Sequence, residues 1–151
     1  MTHNSPHAFQ GVMSSKNSVE LSTRYPSSQD ATKLWHYFRQ RVQPVARISF
    51  DAELKRLETV SFDSESRKQL SDAEHAFVFS LYLISVVSLS DEDCKRELHQ
   101  SKSWLVLEYQ LLCEEALSRT NLFCMTDIIV IKALTVYMVT AILPTVYTTP
   151  S

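Results

Sequence analysis

Glycine is almost missing from this sequence. Average usage would give roughly ten in a chain of this length, and there is 1 in 151 residues, Gly11. Phosphate-cradling loops and dinucleotide-binding turns need several glycines, because the backbone must approach the phosphate closely. Both are excluded. Two-residue hairpin turns also lose their preferred residue. There are only 5 prolines, so little in the composition interrupts a helix. These scarcities favour an all-α chain.

Cysteine and charge are also informative for what they leave out. Cys94, Cys113 and Cys124 contain no C-x-x-C pair, and three thiols cannot complete a four-cysteine zinc site. The odd number, with no basic and apolar leader at Met1–Ser5, predicts free, mostly buried thiols in a reducing compartment. With 15 basic and 17 acidic residues the formal net charge is −2, which gives no global attraction to nucleic acid or anionic membranes. Neither a G-x-S-x-G elbow nor an H-E-x-x-H helix occurs, so two common hydrolytic arrangements are excluded.

What is present is enough for one domain. The hydrophobic fraction is 44%, and a compact chain of this size buries roughly 70% of its unfolded surface. Residues 1–30 are rich in Ser, Asn and Gln without a sustained hydrophobic period, which predicts a disordered tail. Residues 31–143 carry the helical pattern, and residues 144–151 are expected to be a second tail.

Within 31–143 about six helices are expected. Leu34, Trp35, Phe38 and Val42 share one helical face. Pro44 disfavours a helical Gln43 and should end that helix, leaving Val45–Ile48 extended. Phe50, Leu54 and Leu57 suggest a short helix, and residues 58–70 read as a loop. Ser71 and Glu74 form a capping box. The helix after it is apolar nearly all round and should be central. Ser90 caps another helix, with Asp91, Glu92 and Asp93 at the positive end of its dipole. Ser101 or Ser103 opens a longer one. There Leu105, Tyr109, Leu112 and Ala116 form a core stripe that Trp104, Leu107 and Leu111 should widen. Thr126-Asp127 caps the last helix, which Pro144 should break or end.

The candidate chemical groups do not converge. Asp91, Glu92 and Asp93 point different ways on one turn, unlike the oxygen ligands of a cation site. Glu114 and Glu115 splay by about 100° and are expected to be solvated. Cys94 and His99 fall off one face, so a nucleophile–base pair is not expected. His75, in a first turn, should face solvent. Lys33, Arg39, Arg41 and Arg47 make a local basic patch without an acid, expected to be a solvated face rather than a phosphate contact. No catalytic, cofactor-binding or metal-ligating residues are assigned, and no cofactor is expected. Ile128–Leu143 is shorter than the about 20 apolar residues of a membrane span, and Lys132 interrupts it. A buried helix is favoured there, and a membrane-associated protein anchored by residues 128–143 is the alternative.

Three segments go further: KLWHYFRQRVQPVARISF at 33–50, LSDAEHAFVFSLYLISVVSLSDEDC at 70–94, and LEYQLLCEEALSRTNLFCMTDIIVIKALTVYMV at 107–139. In order and spacing they resemble the opening of the fungal-specific transcription factor domain, the middle homology region of fungal binuclear zinc cluster regulators. Leu34-Trp35 with Phe38, Val42 and Pro44 resembles its first helix. Glu74, Ala76, Phe79, Tyr82, Ser85–Ser90, Glu92 and Cys94 resemble its most recognisable helix pair. Tyr109, Glu115-Ala116-Leu117, Asn121-Leu122 and Asp127–Leu134 resemble the next pair.

The resemblance covers about residues 33–140. It implies a nuclear, non-catalytic regulator of RNA polymerase II transcription, possessing a helical region that acts through protein partners or self-association. It also implies a truncated member, the first part of a larger helical array. The family's zinc cluster uses six cysteines, and residues 1–30 contain none. Zinc and sequence-specific DNA binding are therefore not carried over.

Overall fold

The computed structural model describes residues 21–121 and 127–147, with side chains to Ile142. The described residues are helices joined by short connections, with no strand among them. The expected all-α class is what the structure shows.

Local signals set most helix starts. Ser27 Oγ accepts from the Asp30 amide and opens α1, Ser28–Tyr37. The chain then widens into a π-helical stretch, Phe38–Val42, and returns to a short α2, Gln43–Ala46. Pro44 therefore does not end the helix where the sequence pattern suggested. The Gln43 amide reaches back to the Phe38 carbonyl, and this wider turn makes room for a ring that would otherwise meet the preceding turn's carbonyl. Val45 and Ala46 are helical rather than extended, and the stop falls at Arg47, in the left-handed region at φ 46°.

The helix predicted around Leu54 and Leu57 is α3, Asp51–Ser61. Leu54 and Leu57 are buried, but Phe50 precedes the helix and is 81% exposed. The expected loop at 58–70 is partly helical. α3 continues to Ser61, and Asp63 accepts from the Ser66 amide to start α4, Ser64–Arg67. The polar composition hid this, because a one-turn helix held by its cap needs no apolar period.

The capping box is complete. Ser71 Oγ accepts from the Glu74 amide, and Glu74 accepts from the Ser71 amide. It opens α5, Asp72–Val87, which is buried nearly all round. Ser90 caps α6, Asp91–Leu98, and His99 stops it at φ 60°. Ser101, not Ser103, caps α7, Lys102–Ser118. Asp127 Oδ1 accepts from the Ile129 amide at the head of α8, Ile128–Tyr147. Its helical backbone runs through Pro144, beyond the expected end at Leu143. Thr126 and residues 148–151 lie outside the described residues.

Helix α5 is the hub. It packs mainly against α7 and α8, and then against α1 and the π-helical stretch. Trp35, Phe38, Phe77, Phe79 and Tyr82 are almost fully buried around it, with Trp35 edge-on to both Phe38 and Tyr82.

The expected tail boundary at residue 30 is too late. Leu21 and Ser22 are buried. Tyr25 packs against Phe79 and Tyr82. Arg67 stacks over the Tyr25 ring and donates to the Ser22 carbonyl. Leu21 and Tyr25, too sparse to show a period, pack this segment onto the core. Residues 1–20 lie outside the described residues.

Candidate interaction surface

The acidic groups singled out in the sequence are spent locally. Asp91 accepts from the Lys102 amide at 2.9 Å and pairs with Lys95 at 3.0 Å. Asp93 pairs with Arg96, and its amide donates to Ser90. The Lys102 and Arg96 bonds respectively hold these two carboxyls below their ordinary range. Glu114 accepts from the Tyr137 hydroxyl, while Glu115 faces Arg119, so this pair diverges. No group of three His, Cys, Asp or Glu side chains suited to a metal ion occurs among the described residues.

The thiols are not brought to a base. Cys94 is buried whereas His99 is exposed, and burial raises the Cys94 thiol. Cys113 donates to the Ala76 carbonyl at 3.6 Å, and burial pushes its thiol up to about 12. Such thiols stay protonated and unreactive. Cys124 lies outside the described residues.

His75 corrects the sequence expectation. It is fully buried rather than solvent-facing. Its Nδ1 is 2.8 Å from the Tyr25 hydroxyl, and its ring stacks with Phe79. Its Nε2 has no hydrogen-bond partner. Burial lowers its pKa to about 4; Glu74 opposes this, and Arg119 and Arg67 add to the lowering. The ring is therefore neutral at neutral pH. What covers it is Tyr25, a residue far away in the sequence, so no local pattern reported its burial.

The basic stretch is not an open phosphate site. Lys33 Nζ donates to the Glu97 carbonyl at 2.7 Å, and Arg39 pairs with Glu58. Arg41 donates to the Ser88 carbonyl at 3.1 Å. These internal partners consume the charge that the local sequence seemed to leave free. Arg47 stands apart, at the left-handed corner.

That corner opens the larger surface feature. A cleft of about 670 Å³ lies between Gln43, Arg47, Phe50 and Lys132. A second, more apolar cleft of about 380 Å³ shares Arg47, Ile48 and Lys132 and runs along α8 past Ile131, Val136 and Val139. Lys132 Nζ, which donates to Glu53 at 2.9 Å and Ser49 at 3.0 Å, ties α8 to α3 at the floor. Burial raises the Glu53 carboxyl, but the Ser49 and Lys132 bonds outweigh it and hold it low. Lys132 is thus an anchor within the fold. Among the described residues no single helix is long and apolar enough to cross a membrane.

Two apolar faces remain uncovered. On α8, Met138, Val139 and Ile142 are exposed. On α7, Trp104, Leu107 and Leu111 are 49%, 55% and 53% exposed, so they do not widen the core stripe as expected. Their spacing of three and four places them on one ridge facing away from α5. Leu105, Tyr109, Leu112 and Ala116 do form the predicted buried stripe.

Fold and surface together define an all-helical segment with uncovered apolar faces. Its homologues are fungal transcription regulators. It is 30% identical over 141 residues to the transcriptional regulator AacuB of Aspergillus aculeatus, covering 88% of this chain and 19% of that protein. Over 129 residues it is 28% identical to the aurofusarin cluster transcription factor aurR2 of Gibberella zeae, covering 84% and 19%. A C6 finger domain transcription factor, adaR of Aspergillus niger, is 27% identical over 131 residues, covering 85% and 17%. The chain spans less than a fifth of the length of these relatives. It is homologous to one segment of fungal zinc-cluster transcription regulators. No family model matches the chain, and no solved structure does.

Proposed function

We propose that this chain is a non-catalytic contact segment of fungal transcription regulation, acting in the nucleus on a biosynthetic gene set through protein partners. The observation that carries the reading is the similarity, along more than four-fifths of the chain, to fungal transcription regulators, one of them named for the aurofusarin cluster. The surface supports it. Acids and thiols are tied into the fold, while apolar side chains on α7 and α8 face outward. Exposed apolar faces of this kind mark protein contacts. Three of the four basic residues that could have met phosphates, Lys33, Arg39 and Arg41, are paired internally instead. Anchoring by residues 128–143 gains no support, because Lys132 is fastened to Glu53 and Ser49.

The test is expression of the tagged chain in its fungal host beside a full-length regulator. Transcripts of the regulated cluster are expected to change severalfold, with the chain in nuclei and no specific gel shift by the purified protein. Unchanged transcripts with the chain present in nuclei would overturn the proposal. Retention in carbonate-extracted membranes would instead favour the anchored alternative.

A further inference from the structure

The ridge on α7 ends beside a buried, underused cation. Arg119 follows α7 directly, and its side chain is only 8% exposed. Neither its Nε nor its Nη1 makes a hydrogen bond. Glu115 lies 3.4 Å from Nε, but as an ion pair without hydrogen-bond geometry, and Glu115 itself is half exposed. A buried guanidinium with open donors is costly, and a carboxylate recovers that cost through charge-assisted bonds. Arg119 also lines a small cavity of about 210 Å³ with Arg24, Leu21, Leu111 and Leu112. Leu111 belongs to both features: it closes the ridge begun by Trp104 and Leu107, and it walls the cavity.

We propose that this face docks a partner peptide that lays apolar side chains along Trp104, Leu107 and Leu111 and presents one carboxylate to Arg119 at the end of the ridge. The inference rests on reading the chain as a contact segment and specifies what that contact recognises. Charge complementarity selects the occupant. An apolar ridge alone accepts any amphipathic helix, whereas the unbonded Arg119 donors favour an acidic one. Glu115, exposed and loosely paired, swings aside to admit the incoming carboxylate. Two rival occupants fit less well. Residues 1–20 of this chain hold a single acid, Glu20, immediately before the buried Leu21. Antiparallel pairing of two copies along Trp104–Leu111 runs out of α7 at Lys102 before it reaches Arg119.

The experiment is selection of a random-peptide display library against the whole purified chain. Enriched peptides are expected to combine Leu, Phe or Trp with one Asp or Glu. Leu107→Ser should weaken a selected peptide at least about tenfold. Arg119→Gln should weaken it by a similar factor, while leaving the same peptide with its acid changed to the amide nearly unaffected. Arg119→Lys should restore part of the loss, and circular dichroism of each variant checks folding.

No enrichment, enrichment without an acid, or full affinity for the Leu107→Ser protein would overturn the proposal. So would equal losses for the acid and amide peptides on Arg119→Gln. Sedimentation showing a dimer that Leu107→Ser dissolves would overturn it too, by giving the ridge to a second copy. These failures are separable from that of the broader reading. Transcript changes caused equally by the parent chain and by Leu107→Ser would keep the regulator role and remove this surface from it.

Discussion

Helices α5 and α8 are both strongly apolar, yet the fold uses them in opposite ways. α5 is enclosed on nearly every side by α1, α7 and α8, down to its serines: Ser80 and Ser85 are buried and donate to the Phe77 and Leu81 carbonyls. α8 covers α5 with Val130, Ala133 and Val136 and leaves Met138, Val139 and Ile142 outside. Composition therefore identifies a helix that wants cover, but neighbours decide whether it is covered. In α5 hydrophobicity stabilises the fold; on the outer face of α8 it is surface available for contact.

The sharpest way to break this comparison is to truncate matching side chains. Phe79→Ala on α5 removes a ring packed against Tyr25 and His75, and should cost about 3–5 kcal/mol in urea unfolding. Equal stability of this variant and the parent would mean that α5 is not the hub.

A second test uses the imidazole that α5 carries beneath Tyr25. The unfolded His75 takes up a proton near its ordinary value of 6.5, whereas the folded one does so only near 4. Between those values the unfolded chain holds more protons, so stability falls as pH drops through that window. The full effect is on the order of 3 kcal/mol. His75→Phe should flatten unfolding free energy against pH over this range. Glu53 and Glu74, held low by their partners, lose their contribution at lower pH and do not mimic it. For Glu74, burial pushes the other way, but the Ser71 and Arg56 bonds prevail. An unchanged slope in the variant would place His75 in contact with water.

The smallest effect belongs to α8. Met138→Ser should change unfolding free energy by less than about 0.5 kcal/mol. A loss comparable with that of Phe79→Ala would mean that the outer face is covered, and the contrast between the helices would collapse.

The same contrast explains what could be read in the sequence. The caps at Ser71 and Ser90 are legible in the sequence because each needs only residues three positions away, whereas Ser101 is there only one of two candidates beside Ser103. The hub character of α5 is legible because the helix is apolar nearly all round. Pro44 does not stop the helix as its sequence implies, because a wider turn, invisible to a period of 3.6, accommodates it. Trp104, Leu107 and Leu111 are exposed although the sequence suggests core, because apolar residues on an outer flank share the pattern of a broad core stripe. The burial of His75 is invisible in the sequence because its cover arrives from Tyr25, and Arg119 carries no signal because its open donors exist only once α7 is packed.

The shortage of glycine has left its mark at two corners. α2 and α6 are stopped by Arg47 and His99 at φ 46° and 60°, a conformation that costs a residue with a β-carbon about 1–2 kcal/mol. The two stops are not equivalent. Arg47 lines both clefts beside α8, so its strain accompanies a charge placed on the surface. His99 lines neither of them, and its strain is a reserve. Replacing it with glycine offers a route to a hardier chain that leaves the α7 ridge and both clefts intact, a useful background against which to introduce every more damaging substitution.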